Sequence, residues 1–151
     1  MAGFRYNLQS ILNIKIKMET LAKQEFSTAK NALDEENEKL AALKNRKEAY
    51  EQKAHRLLQG NLKVREIEEN QNAILMMDQY IAEQRLQVKK AEAQMEQARE
   101  KLAEVMKERK MHETLREKAF ESFLQEENRQ ESKSVDELTS YTYGQKRQGK
   151  K

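Results

Sequence analysis

The residues best able to do chemistry are the two histidines, and neither has the company that catalysis requires. His112 Glu113 opens like H-E-x-x-H, the helical motif that sets two imidazoles one turn apart around zinc, but Arg116 stands at the second histidine position. His112 is better read as a polar residue in a helical seam. Adjacent carboxylates occur at Glu35 Glu36 and at Glu68 Glu69, yet acid–base work needs a desolvated pocket that separates their pKa values. Gly3, Gly60, Gly144 and Gly149 are too scattered to cradle a phosphate, and there is no cysteine to ligate a metal or form a disulfide. Lys89 Lys90, Lys107 and Lys110 are answered by Glu92, Glu96, Glu104, Glu108 and Glu113 at helical spacings, so no one-signed stripe for nucleic acid develops. The expectation is a chain with no catalytic, cofactor-binding or metal-ligating residues, and not an enzyme.

The elements that carry these residues are long helices. Of 151 residues 36% are charged, none is proline and only 4 are glycine, which leaves too few turn residues for a sheet fold. Basic and acidic residues nearly balance, 29 against 26, as on a solvated helix surface. Ala73 to Met77 is the longest apolar run, far short of the ~20 residues that span a bilayer. Neither a transmembrane helix nor a secretion signal is expected.

Hydrophobic periodicity defines two seams. The first runs Phe4, Leu8, Ile11, Lys15, Met18, Ala22, Phe26, Ala29, Leu33, Glu36, Leu40, Leu43, Lys47, Tyr50, Ala54, Leu57, Asn61 and Val64, with one stutter at Met18, Ala22 and Phe26. The second runs without a phase break through Ile67, Asn70, Ile74, Met77, Ile81, Gln84, Val88, Ala91, Met95, Ala98, Leu102, Val105, Arg109, His112, Arg116, Ala119 and Phe123. Each stripe is narrow, so each helix must bury it against another helix.

Gly60 between the seams suits a left-handed helix end, and the arms on either side are nearly equal in length. The pattern therefore predicts an all-α fold, a long antiparallel two-helix coiled-coil hairpin. It forms a single domain over 1–151, with a first helix over about 4–59, a turn over about 60–70 and a second helix over about 67–131. A centre near residue 65 would set Lys47 opposite Gln84 and Asn61 opposite Asn70. Ser134 to Glu137 has the form of a capping box, which suggests a break near Ser132 and a short helix or mobile basic tail over 132–151, ending in Lys146, Arg147, Lys150 and Lys151.

Two regions hold more apolar residues than a two-stranded seam can hide. One is the open end, with Leu12, Ile14, Ile16, Leu21, Met111, Leu115, Phe120 and Leu124; the other lies around Ala73, Met76 and Tyr80. Such an excess fits a partner surface, a folded-back terminal helix or self-association into a four-helix bundle.

The string Phe4 Arg5 Tyr6 Asn7 Leu8 Gln9 Ser10 Ile11 Leu12, then Glu19, Ala22, Glu25 and Ala29, resembles the opening of the flagellar export protein FliJ family. Glu113 Thr114 Leu115 Arg116 Glu117 Lys118, followed by Glu126 Glu127 and Asp136 Glu137, resembles its close. The resemblance implies a non-catalytic component of the flagellar type III export apparatus, similar to the central stalk of rotary ATPases. Such a component would bind in the ring of a hexameric export ATPase and promote its assembly. It would also contact the cytoplasmic domain of the membrane export gate, at the inner face of the cell membrane, and escort export chaperones. Tyr80 Ile81 Ala82 Glu83 Gln84 Arg85 Leu86 is similar to the gate-binding stretch of that family, which suggests Leu43, Arg46, Tyr50, Ala73, Met77, Tyr80 and Gln84 as gate contacts. The stalk likeness suggests Leu12, Ile16, Met111 and Leu115 as ATPase contacts. The alternatives are the stalk protein of a virulence secretion system and a generic coiled-coil scaffold or holdase chaperone.

Overall fold

A computed structural model describes the backbone of residues 3–148 and the side chains of 3–144. The described chain folds as two helices packed in antiparallel fashion, α1 (Gln9–Leu57) and α2 (Val64–Gln148), with no strand among the described residues. The expected hairpin of all-α class is thus present. α1 begins at Gln9 rather than Phe4, after a turn closed by the Gln9 amide donating to the Tyr6 carbonyl at 3.0 Å.

The connection is shorter than expected. His55 and Arg56 place positive charge in the last turn of α1, where the helix dipole favours it. The Gln59 amide then donates to the Arg56 carbonyl at 3.1 Å, and Gly60 turns the chain at φ 90°, a conformation that resists any side chain. α2 starts at Val64 with Glu66 in its first turn, so residues 64–70 are helix and not loop.

α2 also continues past the expected break at Ser132 to Gln148. The Thr139 and Thr142 hydroxyls donate back to the Val135 and Leu138 carbonyls, each at 2.9 Å, as threonine does inside a continuing helix. The capping-box reading of Ser134 to Glu137 is therefore not realised. The side chains of Lys146 and Arg147, and residues Lys150 and Lys151, lie outside the described set.

The chain divides into two compact units, each an antiparallel pair of segments from α1 and α2. Unit 2, Thr20–Glu104, buries Ala22, Asn70, Met77, Ile81, Val88 and Ala91. The rest of its seam, from Phe26 to Leu57 and from Ile67 to Leu102, is half-buried, the ordinary condition of a stripe covered by one partner helix. Lys47 with Asp78, Glu25 with Lys101, and Phe26 with Arg99 centre this pair on residues 62–63. The register differs accordingly from the expected one: Lys47 meets Asp78, and Gln84 meets Glu36.

Unit 1, Met1–Glu19 with Val105–Lys151, is built around Leu12, Glu19 and Val105 at 3%, 7% and 6% exposure. Here the seam of α1 is Leu12, Lys15 and Glu19, not Leu8, Ile11 and Met18, which are all exposed. The heptad therefore runs through this end with no stutter. Apolar counting chose Met18 because the residue in phase, Glu19, is charged.

Candidate interaction surfaces

In unit 2 the two flanks of the seam differ in character. One flank is an open groove lined by Lys44, Glu48, Glu51, Asp78, Ala82, Arg85 and Leu86. Lys47 leans into it from the seam, with Nζ 2.6 Å from Asp78 and 3.7 Å from Glu51. Its hydrogen bond to Asp78 raises the lysine pKa above its ordinary value. The groove joins one side of α1 to one side of α2, so residues on the other sides of both helices share the opposite face.

That opposite face holds the residues suggested as gate contacts, but unequally. Tyr80 is 41% exposed beside Met76 at 51%, and Arg46 is also exposed. Leu43, Tyr50 and Ala73 are half-buried. Met77 is core at 5% exposure, because it sits on the axis of the second seam. Gln84 is half-buried and already bonded: its amide donates to the Glu36 carbonyl at 2.9 Å and to the Glu36 carboxylate. Met76, which the sequence sets in one apolar stripe with Ala73 and Tyr80 at spacings of three and four, is exposed on this face as well.

Unit 1 is organised by ion pairs. Arg109 donates from Nε to Glu19 and from Nη1 to Glu113 at 2.8 Å, and the bond to Glu19 is the leading cause of its raised pKa. Lys15 meets Glu108 at 2.8 Å and, chiefly by that hydrogen bond, holds the Glu108 carboxyl below its ordinary value. Arg116 donates to the Gln9 side chain at 2.8 Å and lies 5.8 Å from the Phe4 ring centroid. Phe4 meets Phe120 edge to face at 5.1 Å and Phe123 at 5.5 Å, closing the end of the seam with aromatic area.

The four residues suggested as ATPase contacts do not form one surface. Leu12, at 3% exposure, is core, in phase with Glu19 and Ala22. Lys15 bridging to Glu108 marks one flank of the pair, and helical spacing puts Met111 and Leu115 on it, at 56% and 44% exposure. Ile16, 43% exposed, follows Lys15 by one residue and so falls on the other flank. Helical spacing instead groups Met111 and Leu115 with Ile11 and Met18, at 39% and 38% exposure, four and three residues from Lys15. The apolar periodicity of Ile11 and Met18 was visible in the sequence, but it was assigned to the seam.

Among the described residues no cluster of His, Asp or Glu is arranged to hold a metal, and no helix is long and apolar enough to cross a membrane. The distinctive groups sit on seams and flanks, which defines the class: an antiparallel coiled-coil hairpin. The chain belongs to the flagellar FliJ protein family, whose model, described as Flagellar FliJ protein, matches residues 4–148. It is thereby related to the stalk-like components of flagellar export. The Flagellar FliJ protein of Bacillus subtilis (strain 168) is 26% identical over 137 residues, 91% of this chain and 93% of that protein. In fold the chain is similar to a solved structure from Chlamydia trachomatis described as a YscO homolog, with a TM-score of 0.64 at 22% identity over 97% of this chain and 99% of that one.

Proposed function

We propose that this protein is a non-catalytic component of the flagellar type III export apparatus that binds in the export ATPase ring, favours ring assembly, and links the ring to the cytoplasmic domain of the membrane export gate. Family membership over residues 4–148 supports the setting, and the exposed apolar flanks support the mode of action. The single observation that carries the reading is that each unit presents an exposed apolar flank beside an intact seam. Ile11, Met18, Met111 and Leu115 form the flank in unit 1, and Met76 and Tyr80 in unit 2. Binding the assembled ring better than its free subunits shifts assembly by mass action, with no chemistry required of the stalk. Escort of export chaperones and a place at the inner face of the membrane belong to the same reading.

Co-elution tests it. The chain should co-elute with the hexameric ATPase and separately bind the gate's cytoplasmic domain, and a chain that binds neither would sink the proposal. The likeness to the YscO homolog favours one second reading, a stalk in a virulence secretion system, and preferential binding to that system's ATPase would mark it.

A further inference from the structure

The second seam of unit 2 repeats Ile67, Ile74, Ile81 and Val88 at intervals of seven. Sliding one helix past the other by a heptad would therefore still set apolar residues on apolar residues, and the hydrophobic term alone does not choose a register. The turn resists such a slide only weakly. Leu58, Leu62 and Val64 are 62%, 61% and 66% exposed, so little packing would be lost by redrawing it.

Polar seam groups supply the missing choice. Gln84 and Glu36 are seam residues of opposite helices, and the Gln84 amide donates both to the Glu36 carbonyl and to its carboxylate. A backbone carbonyl recurs at every residue, so that bond alone would re-form after a slide. The carboxylate does not recur. A heptad shift would leave Glu36 against Met77 or Ala91, with a half-buried charge facing an apolar side chain and no amide to donate to it. Asn70 adds a second polar point: its Nδ2 donates to the Tyr50 carbonyl at 3.0 Å while its buried Oδ1 accepts nothing. A leucine in its place would pack better, which is the signature of a seam residue that gives up stability for specificity.

The geometry points to Gln84 and Glu36 as the key that fixes the heptad register of the hairpin, with Asn70 as a supporting point. Gln84 is thus a positioning residue, whose amide is engaged within the fold and which sets the alignment of Arg46 with Tyr80 on the shared face. The inference concerns the fold itself and stands apart from the proposed export role.

Cysteine cross-linking in the full-length chain reads the register directly, because the protein has no cysteine of its own. With the pair centred on residues 62–63, Leu43→Cys and Ile81→Cys face each other and should form a disulfide. Leu43→Cys with Ile74→Cys or with Val88→Cys is displaced by about 10 Å along the axis, beyond disulfide reach, and should not. In a Glu36→Leu/Gln84→Leu background the displaced pairs should begin to cross-link while the melting temperature stays level or rises. The single substitution Gln84→Leu, which leaves the half-buried Glu36 only Lys39, 3.6 Å away on its own helix, should lower the melting temperature. Cross-linking confined to Leu43 and Ile81 in the double-leucine background, or an unchanged melting temperature in Gln84→Leu, would overturn the proposal.

Discussion

Glu19 and Arg109, 90 residues apart in sequence, meet within the seam of unit 1 as a partly buried ion pair, the Glu19 side chain 9% exposed and the Arg109 side chain 19%. The pair occupies core positions that leucines would fill elsewhere. Glu113 satisfies a further guanidinium donor, so the arginine is held on both sides.

Removing one member should therefore hurt more than removing both. Glu19→Leu leaves Arg109 short of its inward partner, and Arg109→Leu leaves a nearly buried carboxylate; each should lower the melting temperature by several degrees. The double leucine variant should recover most of that loss, since two apolar side chains need no partners. Thermal unfolding of the three variants checks this, and additive losses would contradict it.

The shifted pKa values give opposite pH signatures. The Glu108 carboxyl is lowered by Lys15, so its contribution is present above the ordinary carboxylate range and is lost as pH falls through the lowered value. Lys47 is raised by Asp78, so its contribution is present below the ordinary lysine range and is lost as pH rises through the raised value. The melting-temperature gap between wild type and Glu108→Gln should thus close in acid, and the gap for Lys47→Met should close in strong base. Both pairs are partly exposed, so salt should shrink both gaps.

Burial separates two residues one turn apart on α2. Tyr80→Ala should change stability by no more than ~1 kcal/mol, the usual range for surface positions, yet reduce binding to the gate's cytoplasmic domain. Met77→Ala should cost about 2–3 kcal/mol, because it opens a cavity at a side chain that is 5% exposed. Isothermal titration with the gate domain and chemical denaturation distinguish the two; wild-type binding by a stable Tyr80→Ala protein would place the contact elsewhere.

The flanks of unit 1 are likewise separable. Met111→Glu and Leu115→Glu should weaken ATPase association with helicity intact, and Met18→Glu should do the same from the other helix of that flank. Ile16→Glu, on the opposite flank, should have the smaller effect. Leu12→Ala should act through stability, at about 2–3 kcal/mol. Pull-down with the ATPase alongside circular dichroism checks the set.

How much of this was legible follows from what each signal encodes. In the second seam every position through His112 is buried or half-buried, because twelve apolar residues of seventeen held one phase through the polar interruptions. In the first seam the phase is right from Ala22 to Leu57, and before it Lys15 alone of the α1 positions holds while Ile11 and Met18 are exposed. An apolar count cannot see that Glu19 is in the core, since its partner lies at the far end of the chain. Gly60 marked the turn, but the polar run from Arg65 to Asn72 suggested a loop where α2 is helix with only Ile67 and Asn70 turned to the seam. That misplaced the centre and matched Gln84 with Lys47 instead of Glu36. The surfaces were legible as apolar excess and not as faces, because the flank a residue occupies depends on the phase of the seam, which the charged Glu19 hides in unit 1, and the residues that sit level across the two helices depend on the register.

The central claim is that this chain acts on an export ATPase by favouring its ring. The most direct measurement is the specific ATPase rate against enzyme concentration, with and without the chain. The account predicts that the rise in specific activity moves to lower enzyme concentration with the chain present, and that Leu115→Glu abolishes the shift. An unchanged concentration dependence, in a mixture where the chain is shown to be folded, would contradict it.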